Sequence, residues 1–451
     1  MSGQKIVILD GCGLPDRDLA PILGGLSDVL RQDGSEIETF PLHEMKLAHC
    51  LGCFGCWLKT PGMCVEDDDG RRIARAVIQS DTTVFFTPVT FGGYSPDLKK
   101  MMDHCVQLIS PYFQMDHGEV HHAPRYAHRP RLVVVGVQRQ PNPREAHIFR
   151  TLVGRNAINL LPPSYAAEVV VATTPAETLH ERFEALLARS DALPFGEAAA
   201  SLMPPVVSSA DADRNGPKRA LLIVGSPRTN APSTSSVLGG YLLERLGGRG
   251  WETESLTLRA SLNREEGGAA LIAAADRAGL ILFVFPLYAD ALPHLATKAL
   301  SVIAAHRRAA TDPPPQRLMA IVNSGFPETH QNAVALAICQ EFAAQSGMEW
   351  SGGLALGGGG MIGSQPLTAA KRPGPPVKHV IGALDLAAAA LSEGRPVPAE
   401  AVRLMTKNPI PFFPFALWRS LYMRLGSRAF EQEAAKNGVA KDRLLAQPYA
   451  A

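Results

Sequence analysis

Short apolar runs alternate with helical stretches along most of the chain, and the same order occurs twice. One series begins at Lys5 and the other at Arg219, and each first run leads into a glycine-containing turn. Helices are predicted next, over 19–30 and 235–246. The further strands are predicted over 36–40, 82–86, 132–136 and 168–172, and over 252–256, 280–285, 318–322 and 353–356. Alternation of this kind predicts an α/β fold with parallel sheets covered on both faces.

The repeated order predicts two tandem domains, and a duplication is its simplest explanation. We expect domains over 1–195 and 218–395. The linker between them, 196–217, is rich in Pro, Ser, Ala and Asp and has no periodicity. The remainder, 396–451, is predicted to be a helical, arginine-rich extension.

Charge and hydropathy argue against nucleic acid as a partner and against a membrane-spanning helix. The chain has 44 Lys and Arg against 43 Asp and Glu, so no basic surface for nucleic acid is expected. No apolar run reaches the length of about 18 residues that a transmembrane helix needs. The beginning of the chain reads as a strand and not as a signal peptide, so a cytoplasmic location is expected.

The loop that follows the first strand of the second half carries candidate phosphate-binding groups. It lies between a strand and the beginning of a helix, where backbone N–H groups and the helix dipole favour an anion. A polar turn with a serine cap is the alternative. The candidate ligands are Ser226, Arg228, Asn230, Ser233, Thr234 and Ser235.

The first half differs in its corresponding loop. This loop has no Ser and Thr cluster, and Asp10, Asp16 and Asp18 would repel a phosphate unless they point away. After the third strand of this half comes a loop whose two glycines would let the backbone approach a flat ligand. A glycine-rich turn is the alternative. The loop consists of Thr87, Pro88, Val89, Thr90, Phe91, Gly92 and Gly93.

Four of the seven cysteines lie close together, at Cys50, Cys53, Cys56 and Cys64. Their number and spacing suit a [4Fe–4S] cluster, and adjacent glycines let the loop wrap around one centre. A zinc site and metal-free, redox-active thiols are the alternatives. His121 and His122 are adjacent and so are poorly placed to bind one ion together. We expect a structural or substrate-contact role for them.

These motifs together resemble a known family. Gly225-Ser-Pro-Arg followed by Ser and Thr resembles the phosphate loop of NAD(P)H-dependent FMN reductases, and the cysteine spacing resembles that of the iron–sulfur flavoprotein branch. The resemblance implies two tandem flavodoxin-like, doubly wound, parallel five-stranded sheets with flanking helices. It also implies that the flavin ring lies against the loops after the third and fourth strands. The second-half residues of these loops are Pro286, Leu287, Tyr288, Ala289, Asp290, Asn323, Gly325 and Phe326.

The function that this resemblance implies is an FMN-dependent oxidoreductase with NAD(P)H as co-substrate. Electrons would pass, through a [4Fe–4S] cluster if one is held, to a small-molecule or protein acceptor. FMN is expected in the second half first, and a homodimer or an internal pseudo-dimer is expected. No catalytic residue is assigned, because the flavin carries the chemistry. Two alternatives are a non-catalytic flavodoxin and iron–sulfur electron carrier, and a scaffold whose flavin sites have partly decayed.

Overall fold

The structure, a computed structural model, describes residues 3–32, 34–195, 201–202, 217–228, 232–262, 267–369, 374–407 and 414–450. Its chain divides into two compact units. Unit 1 comprises Met1–Gly196 and Tyr422–Ala451, and unit 2 comprises Glu197–Leu421. Most of the predicted linker lies outside the described residues, so its position and the domain limits stay predictions.

Unit 1 contains a parallel sheet and a separate hairpin. The sheet has the order β2–β1–β3–β6–β7, and the antiparallel pair β4–β5 lies in the chain between β3 and β6. The strands are β1 (Lys5–Asp10), β2 (Glu36–Pro41), β3 (Thr82–Pro88), β4 (Ile109–Asp116), β5 (Glu119–Pro124), β6 (Arg131–Gln138) and β7 (Tyr165–Val171).

Helices connect the strands of unit 1. Their beginnings follow local chemistry: Ser95 caps α4, where its Oγ accepts from the N–H of Leu98, and Asn142 caps α5 by accepting from the N–H of Glu145. A proline stands in the first turn of both helices. The helices are α1 (Ala20–Arg31), α2 (Gly55–Leu58), α3 (Asp69–Ile78), α4 (Pro96–His104), α5 (Pro143–Leu160) and α6 (Ala176–Ala188).

Unit 2 has the same type of sheet, and no antiparallel hairpin strands occur among its described residues. Its strands are β8 (Arg219–Val224), β9 (Glu252–Thr257), β10 (Leu280–Pro286), β11 (Arg317–Asn323) and β12 (Glu349–Leu356). They pair in parallel in the order β9–β8–β10–β11–β12. The helices are α7 (Thr234–Gly247), α8 (Leu258–Leu262), α9 (Gly267–Arg277), α10 (His294–Ala309), α11 (Ala333–Gln345), α12 (Pro375–Ser392) and α13 (Ala399–Met405). The last helix of the chain is α14 (Phe415–Lys436).

The predicted fold class is confirmed, because both units contain a parallel five-stranded sheet with helical connections. When the five strands of each sheet are numbered in chain order, leaving out the hairpin strands, both sheets have the order 2-1-3-4-5, which is the flavodoxin-like order. The central strands are apolar and fully buried, as at Val7, Ile8 and Leu9. A common origin of the two units stays a prediction. None of the helices in the described ranges combines the length and the hydropathy that a membrane span requires.

Candidate functional site

The loop after β8 lies at the carboxyl end of the unit 2 sheet, where open α/β sheets bind ligands. The N–H of Gly225 donates to the carbonyl oxygen of Val284 over 2.8 Å. A Cβ at Gly225 would lie 2.7 Å from Cβ of Phe285, so only glycine fits there. Ser226 is buried, and its Oγ accepts from the N–H of Arg228 over 3.4 Å. The chain is therefore held tightly where the predicted phosphate loop begins.

Hydroxyl groups surround the beginning of α7. Ser233 caps the helix, because its Oγ accepts from the N–H of Ser236 over 3.1 Å and the Ser236 Oγ accepts from the N–H of Ser233 over 2.9 Å. The Thr234 hydroxyl donates to the carbonyl oxygen of Gly359 over 3.2 Å. Asn230 lies outside the described residues. The predicted residues Ser233 and Thr234 thus stand at the positive end of a helix of 14 residues.

The loop after β10 contains a tight turn. Tyr288 and Ala291 exchange two backbone hydrogen bonds, of 3.0 and 3.1 Å. Ala289 and Asp290 between them have φ values of 47° and 57°, in the left-handed region that non-glycine residues seldom adopt. The turn follows Pro286 and has the features of a type I′ hairpin turn. Strained backbone of this kind often marks a functional loop.

Asn323, at the end of β11, joins three parts of the site. Its Nδ2 donates to Oγ of Ser235 over 2.8 Å and to the carbonyl oxygen of Phe285 over 3.1 Å. Its own carbonyl oxygen accepts from the N–H of Leu287 over 2.8 Å. One buried amide side chain therefore connects the beginning of α7, the end of β10 and the end of β11.

The predicted residues Gly325 and Phe326 are held by a segment that sequence reasoning missed. The carbonyl oxygen of Phe326 accepts from the N–H of Gly358 over 2.7 Å, and that of Ser324 accepts from the N–H of Gly359 over 2.8 Å. These donors belong to four consecutive glycines that follow β12. Such a run after a fifth strand is itself a signal of close backbone approach.

The ring loop of unit 1 has the same turn. Thr90 and Gly93 exchange backbone hydrogen bonds of 2.9 and 2.8 Å, and Phe91 and Gly92 have φ values of 55° and 86°. A Cβ at Gly92 would lie 2.6 Å from Cβ of Ile148. Packing against α5 therefore explains why this position requires glycine, whether or not a ligand binds.

The start of this loop is tied to α4 and to the loop after β1. The N–H of Ser95 donates to Oγ1 of Thr87 over 3.0 Å, and the Ser95 hydroxyl donates to the carbonyl oxygen of Gly11 over 2.6 Å. The N–H of Val89 donates to the carbonyl oxygen of Val137 over 2.9 Å. The structure therefore brings the predicted residues 87–93 to the same sheet edge as the loop after β1.

Carboxylates occupy the loop after β1. The N–H of Cys12 donates to Oδ1 of Asp10 over 2.9 Å, and the N–H of Gly13 donates to Oδ2 of Asp16 over 3.2 Å. These are the positions in a strand–loop–helix unit at which backbone N–H groups can bind a phosphate. In unit 1 these N–H groups donate instead to the protein's own acidic side chains.

Arg139, which follows β6, neutralises part of this acidic loop. Its guanidinium donates to Oδ1 of Asp16 over 2.9 Å, to the carbonyl oxygen of Pro15 over 3.2 Å and to Asp18. The Arg139 contact lowers the pKa of Asp18 below its ordinary value. Since Asp18 and Arg139 are largely exposed, these ion pairs add little to stability.

Left-handed backbone shapes the cysteine loop. Gly52 and Phe54 have φ values of 60° and 54°, and the short helix α2 follows. Trp57 on this helix is buried, and its Nε1–H donates to the carbonyl oxygens of Val106 and Ile109 over 3.0 and 3.1 Å. The indole therefore fixes the cysteine loop to the segment after α4.

The four thiols differ in environment. Burial raises the pKa of Cys50 to about 12 and also raises that of Cys56, and the neighbouring thiols add to both rises. Burial also raises the pKa of Cys64. Cys53 is exposed. Cys56 is buried, whereas Cys50 and Cys64 are partly exposed. Because a protonated thiol is a weak nucleophile, the raised pKa values disfavour thiol-based redox chemistry at these three cysteines.

The cysteines are neighbours but do not form a ready metal site. Across the described residues, no group of three or more His, Cys, Asp or Glu side chains is gathered closely enough to hold a metal ion. The chemistry of four thiols suits an iron–sulfur cluster. Their arrangement does not fit a preformed one.

The two adjacent histidines face different surroundings. Buried His121 lies in a polar network: its Nε2 is 3.1 Å from Oε2 of Glu119, its Nδ1 is 3.0 Å from Oδ1 of Asn159, and Arg155 donates to the same Glu119 oxygen over 2.6 Å. Burial lowers the pKa of His122 to about 3, so its ring is neutral. A structural or substrate-contact role for the two histidines stays a prediction.

Comparison with known proteins finds one family model, within unit 1, and several similar proteins. A family model described as NADPH-dependent FMN reductase matches residues 19–168, and so begins directly after the acidic loop. An iron–sulfur flavoprotein of Methanocaldococcus jannaschii is 29% identical over 100 residues, which are 22% of this chain and 51% of that protein. One of Methanosarcina thermophila is 28% identical over 112 residues, covering 25% of this chain and 58% of that protein.

The chain thus spans about half the length of the curated relatives it matches. Among solved structures, an NAD(P)H:quinone oxidoreductase from Methanothermobacter marburgensis aligns with 14% identity and a TM-score of 0.34, covering 41% of this chain and 97% of that one. Residues 19–168 are thus similar to the NADPH-dependent FMN reductase family, and part of the chain is similar to iron–sulfur flavoproteins.

Proposed function

We propose that the protein is an FMN-dependent NAD(P)H oxidoreductase and that unit 2 holds the FMN. The observation that carries the placement is Asn323, whose buried amide donates to Ser235 and to the carbonyl oxygen of Phe285. It brings a hydroxyl-rich helix start and a strained ring loop to one sheet edge. The family match supports flavin chemistry in this chain, but it covers residues 19–168 of unit 1, so the placement in unit 2 rests on the geometry of unit 2 alone.

The phosphate end of the proposed site has suitable donors. Ser226 is buried at the end of β8, and Ser233 and Thr234 stand at the beginning of α7. Arg228 adds a cation on the same loop. Hydroxyls, backbone N–H groups and a helix dipole together favour a doubly charged phosphate. These residues therefore fit the phosphate of FMN.

The ring end would be formed by the turn at 286–290 and by 323–326. The left-handed turn at Ala289 and Asp290 fixes the backbone before a ligand arrives, which lowers the entropic cost of binding. The glycines after β12 fix Phe326 in the same way. In our proposal these loops orient the flat ring and exclude water from one of its faces.

Unit 1 lacks the corresponding phosphate end. Asp10 and Asp16 accept the loop N–H groups of Cys12 and Gly13, so a phosphate there would meet two carboxylates at close range. This supports one FMN for each chain. The loop after β3 in unit 1 has the same turn as the loop after β10 in unit 2, but the loop beside it, after β1, is acidic.

Bound FMN supplies hydride acceptance from NAD(P)H and electron delivery to an acceptor. The protein's part is to bind and orient the ring, and we assign no acid or base to the reaction. The acceptor, a small molecule or a protein, stays a prediction, and so does a homodimer.

A [4Fe–4S] cluster on Cys50, Cys53, Cys56 and Cys64 also stays a prediction. The thiol chemistry and the cysteine spacing support a cluster. The positions of the four thiols do not support it, because among the described residues no three of these groups are gathered closely enough to hold a metal ion. The proposed reaction uses no cluster. Iron and sulfide analysis after anaerobic purification decides: about four irons for each chain supports a cluster, and iron-free protein rejects it.

The flavin site is tested by titrating flavin-free full chain with FMN and with riboflavin. We expect one FMN for each chain and riboflavin binding at least about 100-fold weaker, because riboflavin lacks the phosphate that several charge-assisted bonds would hold. Arg228→Ala should weaken FMN binding about 10-fold and leave riboflavin unchanged. Arg17→Ala, in the acidic loop of unit 1, is the matched control. Equal affinities for the two flavins would reject the phosphate site.

The electron-carrier alternative differs in one measurement. An oxidoreductase that carries FMN oxidises NADH or NADPH directly, whereas a carrier needs a separate reductase. Anaerobic mixing of the FMN-loaded chain with each nucleotide, followed at 340 nm, separates the two functions. A chain that binds no FMN at all would favour the scaffold alternative.

A further inference from the structure

The C-terminal part of unit 1 lies directly against the cysteine loop. Nη1 of Arg125 donates to the carbonyl oxygens of Leu444 and Ala446 over 2.9 and 2.8 Å, and Nε2 of Gln447 donates to the carbonyl oxygen of Arg125 over 2.7 Å. Arg125 itself is buried. Three hydrogen bonds thus hold the segment 441–449, which we name the C-terminal strap.

The strap reaches one of the cysteines through a single side chain. The hydroxyl of Tyr449, which is 1% exposed, donates to Oε1 of Gln107 over 2.9 Å. The same Oε1 accepts from the N–H of Cys64 over 3.0 Å. Arg71 holds the other side of this cysteine, donating from Nε and Nη2 to its carbonyl oxygen over 3.0 and 2.8 Å. Tyr449 therefore helps to fix the group that positions Cys64.

Close packing seals the same contact. Gly62, between the third and fourth cysteines, has a φ of 85°, and a Cβ there would lie 2.5 Å from Cδ of Pro448 and 2.8 Å from the carbonyl oxygen of Ala446. The N–H of Gly62 donates to the carbonyl oxygen of Cys56 over 2.8 Å. The loop therefore lies flush against the strap, with no room for a side chain between them.

The preceding helix adds an aromatic contact. In α14, Phe430 meets the rings of Trp57 and Phe54 edge-on, with centroid distances of 5.2 and 5.8 Å. Trp57 and Phe54 themselves stack at 4.9 Å. Phe54 follows Cys53 and Trp57 follows Cys56 in the sequence. Phe430 therefore holds the part of the loop around Cys53 and Cys56, and the strap holds the part around Gly62 and Cys64.

We propose that the C-terminal strap is part of the cysteine site: it covers the loop, and Tyr449, acting through Gln107, is a positioning residue for Cys64. The strap thereby controls the access of soluble reagents to the third and fourth thiols. This role does not depend on flavin or on iron, and it goes beyond the proposed oxidoreductase activity.

The test is pulsed alkylation of the flavin-free full chain with N-ethylmaleimide, with each cysteine quantified by peptide mass spectrometry. A chain that ends at Arg443 should show alkylation of Cys56 and Cys64 at least about 10-fold faster, since local opening exposes them. Cys12 in unit 1 and Cys339 in unit 2 should keep their rates. These two references separate loss of the cover from general unfolding.

Leu445→Ser is the matched control, because Leu445 lies in the strap but its side chain is 49% exposed. It should leave all rates unchanged. A folded, shortened chain with unchanged Cys56 and Cys64 rates would overturn the proposal. Where the shortened chain does not fold, Tyr449→Phe decides: faster alkylation of Cys64 supports the proposal, and an unchanged rate overturns it.

Discussion

The side-chain amide of Asn323 donates a hydrogen bond of 2.8 Å to Oγ of Ser235. Asn323 ends β11 and Ser235 lies in the first turn of α7, so the bond joins two elements 88 residues apart in the chain. Both side chains are buried. A buried amide that bridges these two elements fixes their separation, and the proposed FMN site needs its phosphate and ring ends at a fixed separation.

Replacing Asn323 by Ala should weaken FMN binding about 10-fold or more. The change removes both donated hydrogen bonds and leaves the carbonyl oxygen of Phe285 without that donor, at a cost of about 1–3 kcal/mol. Fluorescence quenching of FMN measures the affinity. Gln345→Ala removes an amide that bonds within α11 to Glu341, and it should leave the affinity unchanged. Equal affinity of the Asn323 variant and the wild type would reject the bridge.

Gly92→Ala should destabilise unit 1 by about 2–4 kcal/mol, because its φ is 86° and its Cβ would collide with Ile148. Gly24→Ala should have the opposite effect on stability. Gly24 lies inside α1 with nothing within 4 Å of the added Cβ, and the change should stabilise the helix by about 0.5–1 kcal/mol. Amide hydrogen exchange of β3 reads the stability of unit 1. A neutral effect at Gly92 would contradict the packing.

The sheet strands were accessible to sequence reasoning because they are continuous apolar runs between turns. The residues of 6–9 and 280–285 are buried on both faces of their sheets, and a short, continuous apolar run is the pattern that such strands produce. The last strand of each sheet was predicted too short at its beginning: β7 starts at Tyr165 and β12 at Glu349. Polar and small residues at sheet edges weaken the pattern there.

Other features were not accessible in this way. The β4–β5 hairpin was missed, since its strands carry histidines and polar residues in place of an apolar run. The acidic loop was recognised as unsuited to phosphate, but the bonds of Asp10 and Asp16 to the loop N–H groups depend on backbone direction. The contact of Tyr449 with Gln107 joins residues 342 apart, and no local pattern reports such a pair.

Unit 1 should lose stability in acid through His122. Burial lowers its pKa to about 3 in the folded protein, against about 6.5 in an unfolded chain. The unfolded state therefore binds a proton first, and stability falls as the pH drops below about 6.5. Between pH 7 and pH 5 this one group removes about 2 kcal/mol.

His122→Phe should abolish that loss, since a phenyl ring fits beside Trp57 and Phe113 and does not titrate. Hydrogen exchange of β6 at the two pH values measures the difference. His180→Gln, at an exposed position on α6, should keep the wild-type slope. An acid slope that survives in His122→Phe would assign the effect to another group.

The cysteines of the native, iron-free protein should react in a fixed order. Cys53 is exposed and should be alkylated first at pH 7.5. Cys50 and Cys56 should be the slowest of the four, because burial raises their pKa and keeps them protonated. Timed alkylation with peptide mass spectrometry gives the order. Rapid alkylation of Cys56 in folded protein would contradict the observed burial.

The central claim is that FMN is held by unit 2 and not by the loop after β1. Hydrogen–deuterium exchange of the full chain, with and without saturating FMN, tests it directly. We predict protection of backbone amides over 225–228, 287–291 and 323–326, and unchanged exchange over 10–18. Protection confined to 10–18 and 87–93, with unit 2 unchanged, would contradict the account.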